Sequence, residues 1–246
     1  MTKSLIPTQL SEGLRKLILG LDSALASGDR LTPKQSAKIL EAAAVKKAEL
    51  LPYEAFDHPE TDNYGRKLIC DRGQYEVMVM SWNPGAYSSI HNHGSTQWGC
   101  VQVFGHARHH SYTYRKQTLA LARTETLPAG RVMKVNHTLI HQMGNPGPDP
   151  FLSLHIYGTH VAGKGITDRA ANYDVQRGQI VYASGGAFFE IPEKDAEGVE
   201  PILRITEEVK AQQAIILEGL GQHRVTGKSH ALRSETALQF DEVGCV

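Results

Sequence analysis

From residue 64 to residue 191 the chain consists of short segments that are rich in β-branched and aromatic residues and are separated by Gly, Pro and Asn. The segments are YGRKLICD, YEVMVMSW, GCVQVFG, HHSYTYR, RTETLPAG, RVMKVN, PFLSLHIYG and GQIVYASGGAFFEI. Segments of this composition, bounded by turn residues, are typical of β-strands. About eight strands without an intervening helix predict a jelly roll or a small barrel. We therefore predict a mainly β fold.

Helical patterns flank this β region on both sides. Apolar residues recur at helical spacing over 10–26, and a second helix is predicted after Thr32, a candidate N-cap that precedes Pro33. Beyond residue 192 the chain is first acidic and then helical in PILRITEEVKAQQAIILEGLG, whereas the stretch from Lys228 onward shows no strong period. We predict three regions: N-terminal helices packed on the barrel over 1–60, the barrel over 61–192, and an unassigned C-terminal extension over 193–246.

Charge and cysteine content exclude several classes of protein. Lys and Arg together number 26, as do Asp and Glu, so no basic excess points to nucleic acid or to an anionic membrane surface. Three cysteines are too few for a disulfide framework, which favours a reducing compartment. The N-terminal segment does not read as a signal peptide, and no apolar run is long enough to span a bilayer. We therefore expect a cytoplasmic protein without nucleic-acid or membrane partners, and no sequence feature sets its oligomeric state.

The segment PGAYSSIHNHGSTQWGC places two histidines, His91 and His93, two residues apart. If this segment is a strand, both imidazoles point to the same face, because successive side chains alternate. Such a pair is either a chance surface pair or half of a metal site. A third imidazole, His141 in HQMGN, favours the metal site.

These two segments resemble the two metal motifs of the cupins. The first motif, G-x5-H-x-H, is matched over 85–93, and the second, H-x3-N, over 141–145. The usual glutamate ligand is absent, with Trp98 at its ungapped place, and Thr138 stands where a glycine is usual. The resemblance implies a cupin barrel, that is, a double-stranded β-helix or jelly roll. Three neutral imidazoles would leave a divalent ion its full charge and an open face, and imidazole suits Zn, Fe, Cu and Ni.

More specifically, the chain resembles the cysteine dioxygenases, which are thiol dioxygenases of the cupin superfamily, over roughly residues 10–190. SSIHNH resembles their first metal motif, SLHIY their outer-sphere Ser-x-His-x-Tyr relay, YGRKLICDRG the segment whose arginine holds the substrate carboxylate, and SWNPG the segment with a pocket tryptophan. The resemblance implies one Fe(2+) ion per chain, a small-molecule thiol substrate and O2. It implies the metal ligands His91, His93 and His141, the catalytic relay Ser153, His155 and Tyr157, and the substrate contacts Arg66, Tyr64, Trp82 and Trp98.

Elementary chemistry agrees with these roles but leaves alternatives open. On a strand, Ser153, His155 and Tyr157 share one face, so a hydrogen-bonded Ser–His–Tyr chain is feasible. The same pattern also fits a buried aromatic stripe with a satisfied histidine. The planar guanidinium of Arg66 can bind a carboxylate in bidentate fashion, although an arginine on the surface of a strand would give the same sequence pattern.

The sequence departs from the mammalian members of this family at the cysteine that they cross-link to the relay tyrosine. Trp98 takes that position in an ungapped reading, and Gly99 takes it if one gap is allowed, so we expect no cross-link there. Cys100 lies on the same strand face as Trp98 and is not expected to pair with Tyr157. Bacterial-type relatives also lack this cysteine. Gln97 stands where the family often has a histidine at the pocket rim.

Our functional expectation is an Fe(2+)-dependent thiol dioxygenase that oxidises L-cysteine with O2 to cysteine sulfinic acid. Arg66 favours a substrate with a cysteine-like carboxylate. The same chemistry on another small thiol, such as 3-mercaptopropionate, stays open. A cupin that binds a metal or a small ligand without turnover also stays open.

Overall fold

The computed structural model describes residues 10–28, 30–59, 61–161 and 165–220. The helices are α1 (Glu12–Ala26), α2 (Pro33–Ala43) and α3 (Lys47–Leu50), followed by a 3-10 turn (Leu51–Tyr53), and a later helix α4 over residues 207–220. Thr32 caps α2 in a reciprocal capping box with Gln35, as its place before Pro33 predicts. Among the helices described, none combines the length and apolar character needed to cross a bilayer.

Strands form most of the remaining described chain. They are β1 (Gly65–Asp71), β2 (Tyr75–Trp82), β3 (Ile90–His91), β4 (Trp98–Val103), β5 (Ala107–Arg115), β6 (Thr118–Leu127), β7 (Val132–Val135), β8 (Ile140–Gly144), β9 (Phe151–Gly158), β10 (Ala170–Asp174), β11 (Gln179–Ala183), β12 (Ala196–Pro201) and β13 (Arg204–Ile205), with a 3-10 turn at Glu193–Asp195. One sheet has the order β1-β2-β9-β4-β7, and the other has the order β12-β11-β10-β3-β8-β5-β6-β13. Only the β13–β6 pair is parallel among these described ladders. This is the jelly roll, or double-stranded β-helix, of a cupin, and it confirms the predicted fold class.

Three apolar clusters hold the layers together, because strands alternate their side chains between two faces. The first lies between the N-terminal helices and the outer face of the five-stranded sheet and includes Leu14, Leu17, Leu40, Val77 and Leu154. The second lies between the two sheets and includes Met80, Val101, Leu127, Met143 and Phe151. The third joins the eight-stranded sheet to the C-terminal segment and includes Ile90, Tyr173, Ile180, Ile202 and Val209.

The eight-stranded sheet does not end near residue 192, where the sequence pattern predicts closure of the barrel. β12 pairs with β11, and β13 pairs with β6, so part of the C-terminal extension belongs to the sheet. The β12 sequence, AEGVEP, does not resemble a strand because β12 is an edge strand with mostly exposed side chains. The boundaries of the three predicted regions stay a prediction. Residues 1–9, 29, 60, 162–164 and 221–246, which include the aperiodic stretch from Lys228, lie outside the described residues.

Candidate metal centre and active site

Three histidines converge between the sheets, as the two motifs predict. His91 ends β3 and lies directly opposite His141 of β8, whereas His93 follows β3 in the next loop. The ring centroids are 4.6 Å apart for His91 and His141, 5.1 Å for His91 and His93, and 4.8 Å for His93 and His141. One nitrogen of each ring lies within 4.8 Å of the others. Three ligand atoms of the type that divalent transition metals prefer therefore face a common point.

The hydrogen bonding of these rings fits a metal site. His141 Nε2 and both ring nitrogens of His93 are buried without a hydrogen-bond partner, although His93 lies near the backbone of residues 136 and 139. Buried polar atoms are rarely left unpaired in native proteins, and a bound cation would use these lone pairs. Burial lowers the pKa of all three imidazoles, that of His91 to about 4. The rings are therefore neutral near pH 7, which is the form that binds metals.

The tautomer of His91 is fixed by the backbone. Its Nδ1 lies 2.9 Å from the carbonyl oxygen of Ser89, which can only accept a hydrogen bond. Nδ1 must therefore carry the ring proton, and Nε2 keeps its lone pair. An outer hydrogen bond of this kind orients a histidine for metal coordination.

The relay predicted on β9 forms as a continuous hydrogen-bonded chain. Every side chain of β9 is buried: Leu152, Leu154 and Ile156 face the helices, and Ser153, His155 and Tyr157 face the barrel interior. His155 lies between the other two relay residues, with Nε2 2.7 Å from Ser153 Oγ and Nδ1 2.7 Å from Tyr157 Oη. The strand period of two thus places three polar groups in one row.

Trp82, predicted as a substrate contact, lies behind the cavity and extends this chain. Its indole N–H donates to Ser153 Oγ over 2.8 Å, and its ring stacks on Tyr64 with centroids 4.6 Å apart. Trp82 is almost fully buried and does not line the cavity beside the histidines. Trp82 therefore supports the relay from the side that faces away from the cavity.

The relay has two possible proton orders: the one described next leaves the Tyr157 hydroxyl proton free for the cavity, and the reverse leaves the Ser153 hydroxyl proton without a partner. Trp82 donates to Ser153, so the Ser153 hydroxyl can donate to His155 Nε2 and His155 Nδ1–H can donate to Tyr157 Oη. Burial lowers the pKa of His155 to about 3, with the charge of Arg66 acting in the same direction, so this ring is neutral and carries a single proton. Burial also raises the pKa of Tyr157. Tyr157 therefore keeps its own proton and can donate it toward the cavity.

A small cavity of about 20 Å³ lies beside the histidines and brings several predicted residues together. Its lining includes Tyr64, Arg66, Met80, His91, His93, Tyr157, Thr167, Ala170, Gly185 and Ala187. Tyr64 also holds one wall in place, because its hydroxyl accepts a hydrogen bond from the Ala187 N–H at 3.0 Å. A larger groove of about 540 Å³, next to β10, β11 and α4, contains none of the predicted site residues.

Arg66 supplies a positive charge to this cavity, and the Glu76 carboxylate lies near enough to interact with that charge without forming an ion pair. Arg66 Nη2 lies 3.6 Å from Met78 Sδ, the Arg66 Nε is buried without a partner, and the guanidinium forms no ion pair with any described residue. A guanidinium in this state is suited to a planar anion such as a carboxylate. Arg66 is half-buried and lines the cavity, which favours the carboxylate-binding interpretation over that of a surface arginine.

Trp98, by contrast, is not among the residues that line this cavity, so nothing in this geometry supports its predicted role in substrate binding. Trp98 and Cys100 point toward the helices, whereas Gly99 lies opposite Tyr157 on the inner face. A Cβ at position 99 would come 2.3 Å from the Ile156 carbonyl oxygen, so the backbone leaves no room for a side chain there. No described cysteine shares the face of Tyr157, in agreement with the expected absence of a cross-link.

Two further motif residues have structural roles. The Gln97 side chain accepts a hydrogen bond from the His160 N–H and is absent from the cavity lining. The Asn145 side chain donates to the carbonyl oxygens of Trp82 and Asp149 at 3.1 and 2.8 Å, which fixes the turn after β8.

Sequence reasoning missed one pair of residues next to the metal ligands. His109 of β5 has its Nε2 3.0 Å from His141 Nδ1 and its Nδ1 3.3 Å from Glu125 Oε1. Burial lowers the pKa of His109, against the opposing effect of Glu125. The segment HHSYTYR predicts a strand, but no motif distinguishes His109 from His110, which bonds to Thr124 instead.

Comparison with known proteins agrees with this geometry. The family model described as "Cysteine dioxygenase type I" matches residues 14–161, which include the three histidines, Arg66 and the β9 relay. Cysteine dioxygenase type 1 of Rattus norvegicus is 26% identical over 162 residues, which cover 63% of this chain and 77% of the relative. The Homo sapiens protein of the same name is 25% identical with the same coverage.

Among solved structures, an uncharacterized conserved protein with a double-stranded beta-helix domain from Klebsiella pneumoniae superposes with a TM-score of 0.38 and 20% identity. The overlap covers 48% of this chain and 94% of that protein. The family match, in contrast, spans more than half of the chain and contains the three histidines, Arg66 and the β9 relay. The chain therefore belongs to the cysteine dioxygenase type I family of dioxygenase enzymes.

Proposed function

We propose that this protein is an Fe(2+)-dependent thiol dioxygenase that oxidises L-cysteine to cysteine sulfinic acid. The proposal is carried by one observation: three converging histidines lie beside a cavity that is also lined by the guanidinium of Arg66 and by Tyr157, whose hydroxyl is bonded to His155. Membership of the cysteine dioxygenase type I family supports the same reaction.

One Fe(2+) per chain would be held by His91, His93 and His141. The fit rests on the orphaned nitrogens of His93 and His141 and on the neutral state of all three rings. When bound, Fe(2+) supplies the coordination sites and redox chemistry that bring a thiolate and O2 together. Gathering the reactants in one oriented site replaces a random encounter, which is the main catalytic gain available here.

Arg66 and Tyr157 would orient the amino acid. The guanidinium would bind the carboxylate in bidentate fashion, and the Tyr157 hydroxyl would donate a further hydrogen bond to it. His155 and Ser153 would keep that hydroxyl aimed into the cavity. The Tyr64 ring, backed by Trp82, would close one side and exclude water.

The proposed reaction needs no further reductant. The thiol S–H and the O–O bond break, two S–O bonds form, and the sulfur supplies all the electrons that reduce O2. Both oxygen atoms end in the sulfinic acid, and the thiol proton is returned on a sulfinate oxygen or to solvent.

We also propose that the protein is cytoplasmic. Cys70 and Cys100 are both free thiols, which suits a reducing compartment in which cysteine itself is kept as the thiol.

The decisive experiment measures O2 uptake by the iron-loaded protein with L-cysteine, 3-mercaptopropionate and cysteamine as separate substrates. We expect one O2 per L-cysteine, cysteine sulfinic acid as the product by mass spectrometry, and a much lower kcat/KM for cysteamine, which lacks the carboxylate. Higher kcat/KM for 3-mercaptopropionate would assign the same chemistry to that thiol. Bound iron without thiol-dependent uptake would identify a non-catalytic metal-binding cupin.

A further inference from the structure

A row of polar side chains crosses four neighbouring strands of the eight-stranded sheet and includes two residues that no motif marks. Glu125 of β6 lies directly opposite His109 of β5. His141 of β8 lies opposite Ser111, two residues along β5 from His109, and also opposite His91 of β3. Residues opposite each other or two apart on a strand share a face, so these side chains all point toward the candidate metal site.

The hydrogen bonds in this row run from the metal ligand to a carboxylate. Glu125 can only accept, so the 3.3 Å contact requires the proton of His109 on Nδ1. His109 Nε2 then has a free lone pair and accepts from His141 Nδ1 at 3.0 Å. His141 Nε2 is consequently left unprotonated, and it is also the buried nitrogen without a partner. Each proton position thus follows from the carboxylate at the end of the row.

The row also connects a buried site with the protein surface. His109 is 5% exposed, whereas the Glu125 side chain is 27% exposed and lies 3.1 Å from Arg123 Nη2. The Glu125 carboxylate therefore places a partly exposed negative charge next to His109, which in turn bonds to His141. Such a charge favours the positive charge that a coordinated imidazole acquires.

The two strand-borne ligands are supported in different ways. His91 Nδ1 bonds to the backbone carbonyl of Ser89, a partner that side-chain substitution cannot remove. His141 depends on a side-chain pair instead. Because only His141 relies on side chains, substituting His109 or Glu125 measures what this pair contributes to metal binding.

We propose that Glu125 and His109 are positioning residues for His141: together they fix its tautomer and ring orientation and increase the electron-donating strength of Nε2 toward the metal ion. The inference rests on the proposed metal site and adds two residues to it. Outer hydrogen-bond partners of metal-binding histidines typically change metal affinity by about 10- to 100-fold when they are removed.

The test is titration of the metal-free full-length protein with Co(2+) and, under anaerobic conditions, with Fe(2+). We expect His109→Phe to weaken binding of both ions about 10- to 100-fold. Glu125→Gln should weaken binding less, because an amide oxygen still accepts from His109 Nδ1 but carries no charge. His109→Gln should recover part of the affinity, since its side-chain oxygen can accept from His141 Nδ1. The visible spectrum of bound Co(2+) should shift in the His109 and Glu125 variants.

His110→Phe is the matched control. His110 is the next residue on β5, is equally buried at 6% exposure, and stacks on Tyr87 with centroids 6.4 Å apart, a contact that phenylalanine keeps. Its metal affinity and Co(2+) spectrum should equal those of the unmodified protein. Thermal unfolding of the metal-free variants separates lost affinity from lost folding, and if His109→Phe does not fold, the two glutamine variants carry the test.

The outcomes separate this inference from the proposed function. Unchanged affinity and spectrum in folded His109 and Glu125 variants would overturn the inference and leave the metal site intact. An equal loss in His110→Phe would also overturn it, because the effect would then be general packing. If the folded, unmodified protein bound neither ion, the proposed metal site would fail and the inference with it.

Discussion

Trp82 donates its indole N–H to Ser153 Oγ over 2.8 Å, so the hydrogen-bonded chain that ends at Tyr157 begins outside the substrate cavity. The tryptophan is therefore coupled to the tyrosine hydroxyl without touching the space where a substrate would sit. Ring stacking on Tyr64 and hydrogen bonding to Ser153 are two separable contributions of this one side chain.

We expect Trp82→Phe to lower kcat for L-cysteine several-fold while KM changes little. Phenylalanine keeps a ring against Tyr64 but removes the donor that turns the Ser153 hydroxyl toward His155, and one such hydrogen bond contributes about 1 kcal/mol. Trp98→Phe is the control, because Trp98 is fully buried and its Nε1 has no hydrogen-bond partner. Steady-state O2 uptake measures both variants, and an equal fall in kcat would contradict a specific role for the Trp82 donor.

Arg66→Lys should raise KM for L-cysteine, and lower kcat/KM, by about 10- to 100-fold, because charged hydrogen bonds contribute about 1.5–3 kcal/mol and an ammonium cannot form the bidentate pair. Activity with cysteamine, which has no carboxylate, should change far less. The kcat/KM ratio of the two substrates is the measured quantity. A parallel loss with both substrates would mean that Arg66 acts on the fold or on metal binding rather than on the carboxylate.

The metal-free protein should lose stability as the pH falls from 7 to 5. Burial lowers the pKa of His110 and of His91 to about 4, so these groups stay neutral in the folded state while the unfolded chain takes up protons below about pH 6.5. Their contribution to the free energy of unfolding is complete above pH 6.5 and is lost progressively down to about pH 4. Urea unfolding at several pH values measures the slope.

His110→Phe provides the comparison for this slope. This substitution removes one histidine whose pKa is lowered by burial. It should reduce the loss of unfolding free energy between pH 7 and pH 5 by on the order of 1 kcal/mol. The free energy of unfolding at pH 7 is measured in parallel to correct for packing changes. A slope that is identical in the variant would argue against a buried, neutral His110.

Gln213→Ala should lower the free energy of unfolding by about 1–3 kcal/mol, the cost of leaving a buried polar group unpaired. Gln213 lies on α4, and its amide pairs with that of Gln142, which precedes Met143 on the same strand as His141. Ile215→Ala on the same helix is the control, since Ile215 is 71% exposed and should cost little. Equal effects would mean that α4 is not anchored through the glutamine pair.

The parts of the site that sequence predicts are those in which spacing along one strand determines geometry. The relay residues of β9 share a face because of the strand period alone, and the H-x-H and H-x3-N spacings identify the three histidines that converge. The jelly roll follows from the succession of short apolar segments. Edge strand β12 is not predicted from the sequence, because its side chains are mostly exposed to water and show no apolar pattern.

The other differences between expectation and structure concern side chains whose orientation depends on how strands pair with each other. Trp98 and Gly99 differ by one residue, and only the pairing of β4 with β9 decides which of them faces Tyr157. His109 meets His141 across 32 residues of sequence, so nothing local distinguishes it from His110. The family resemblance places Trp82 near the site, but the direction of its ring depends on its contacts with Ser153 and Tyr64.

Glycine at position 99 has a consequence for how the enzyme reaches its working state. Because no thiol of the described residues lies beside the phenol of Tyr157, we expect no cross-link to form there after synthesis, and the described site then has a single covalent form. Its activity should then follow occupancy by the ion from the first turnover, without a lag and without a mixture of mature and immature forms.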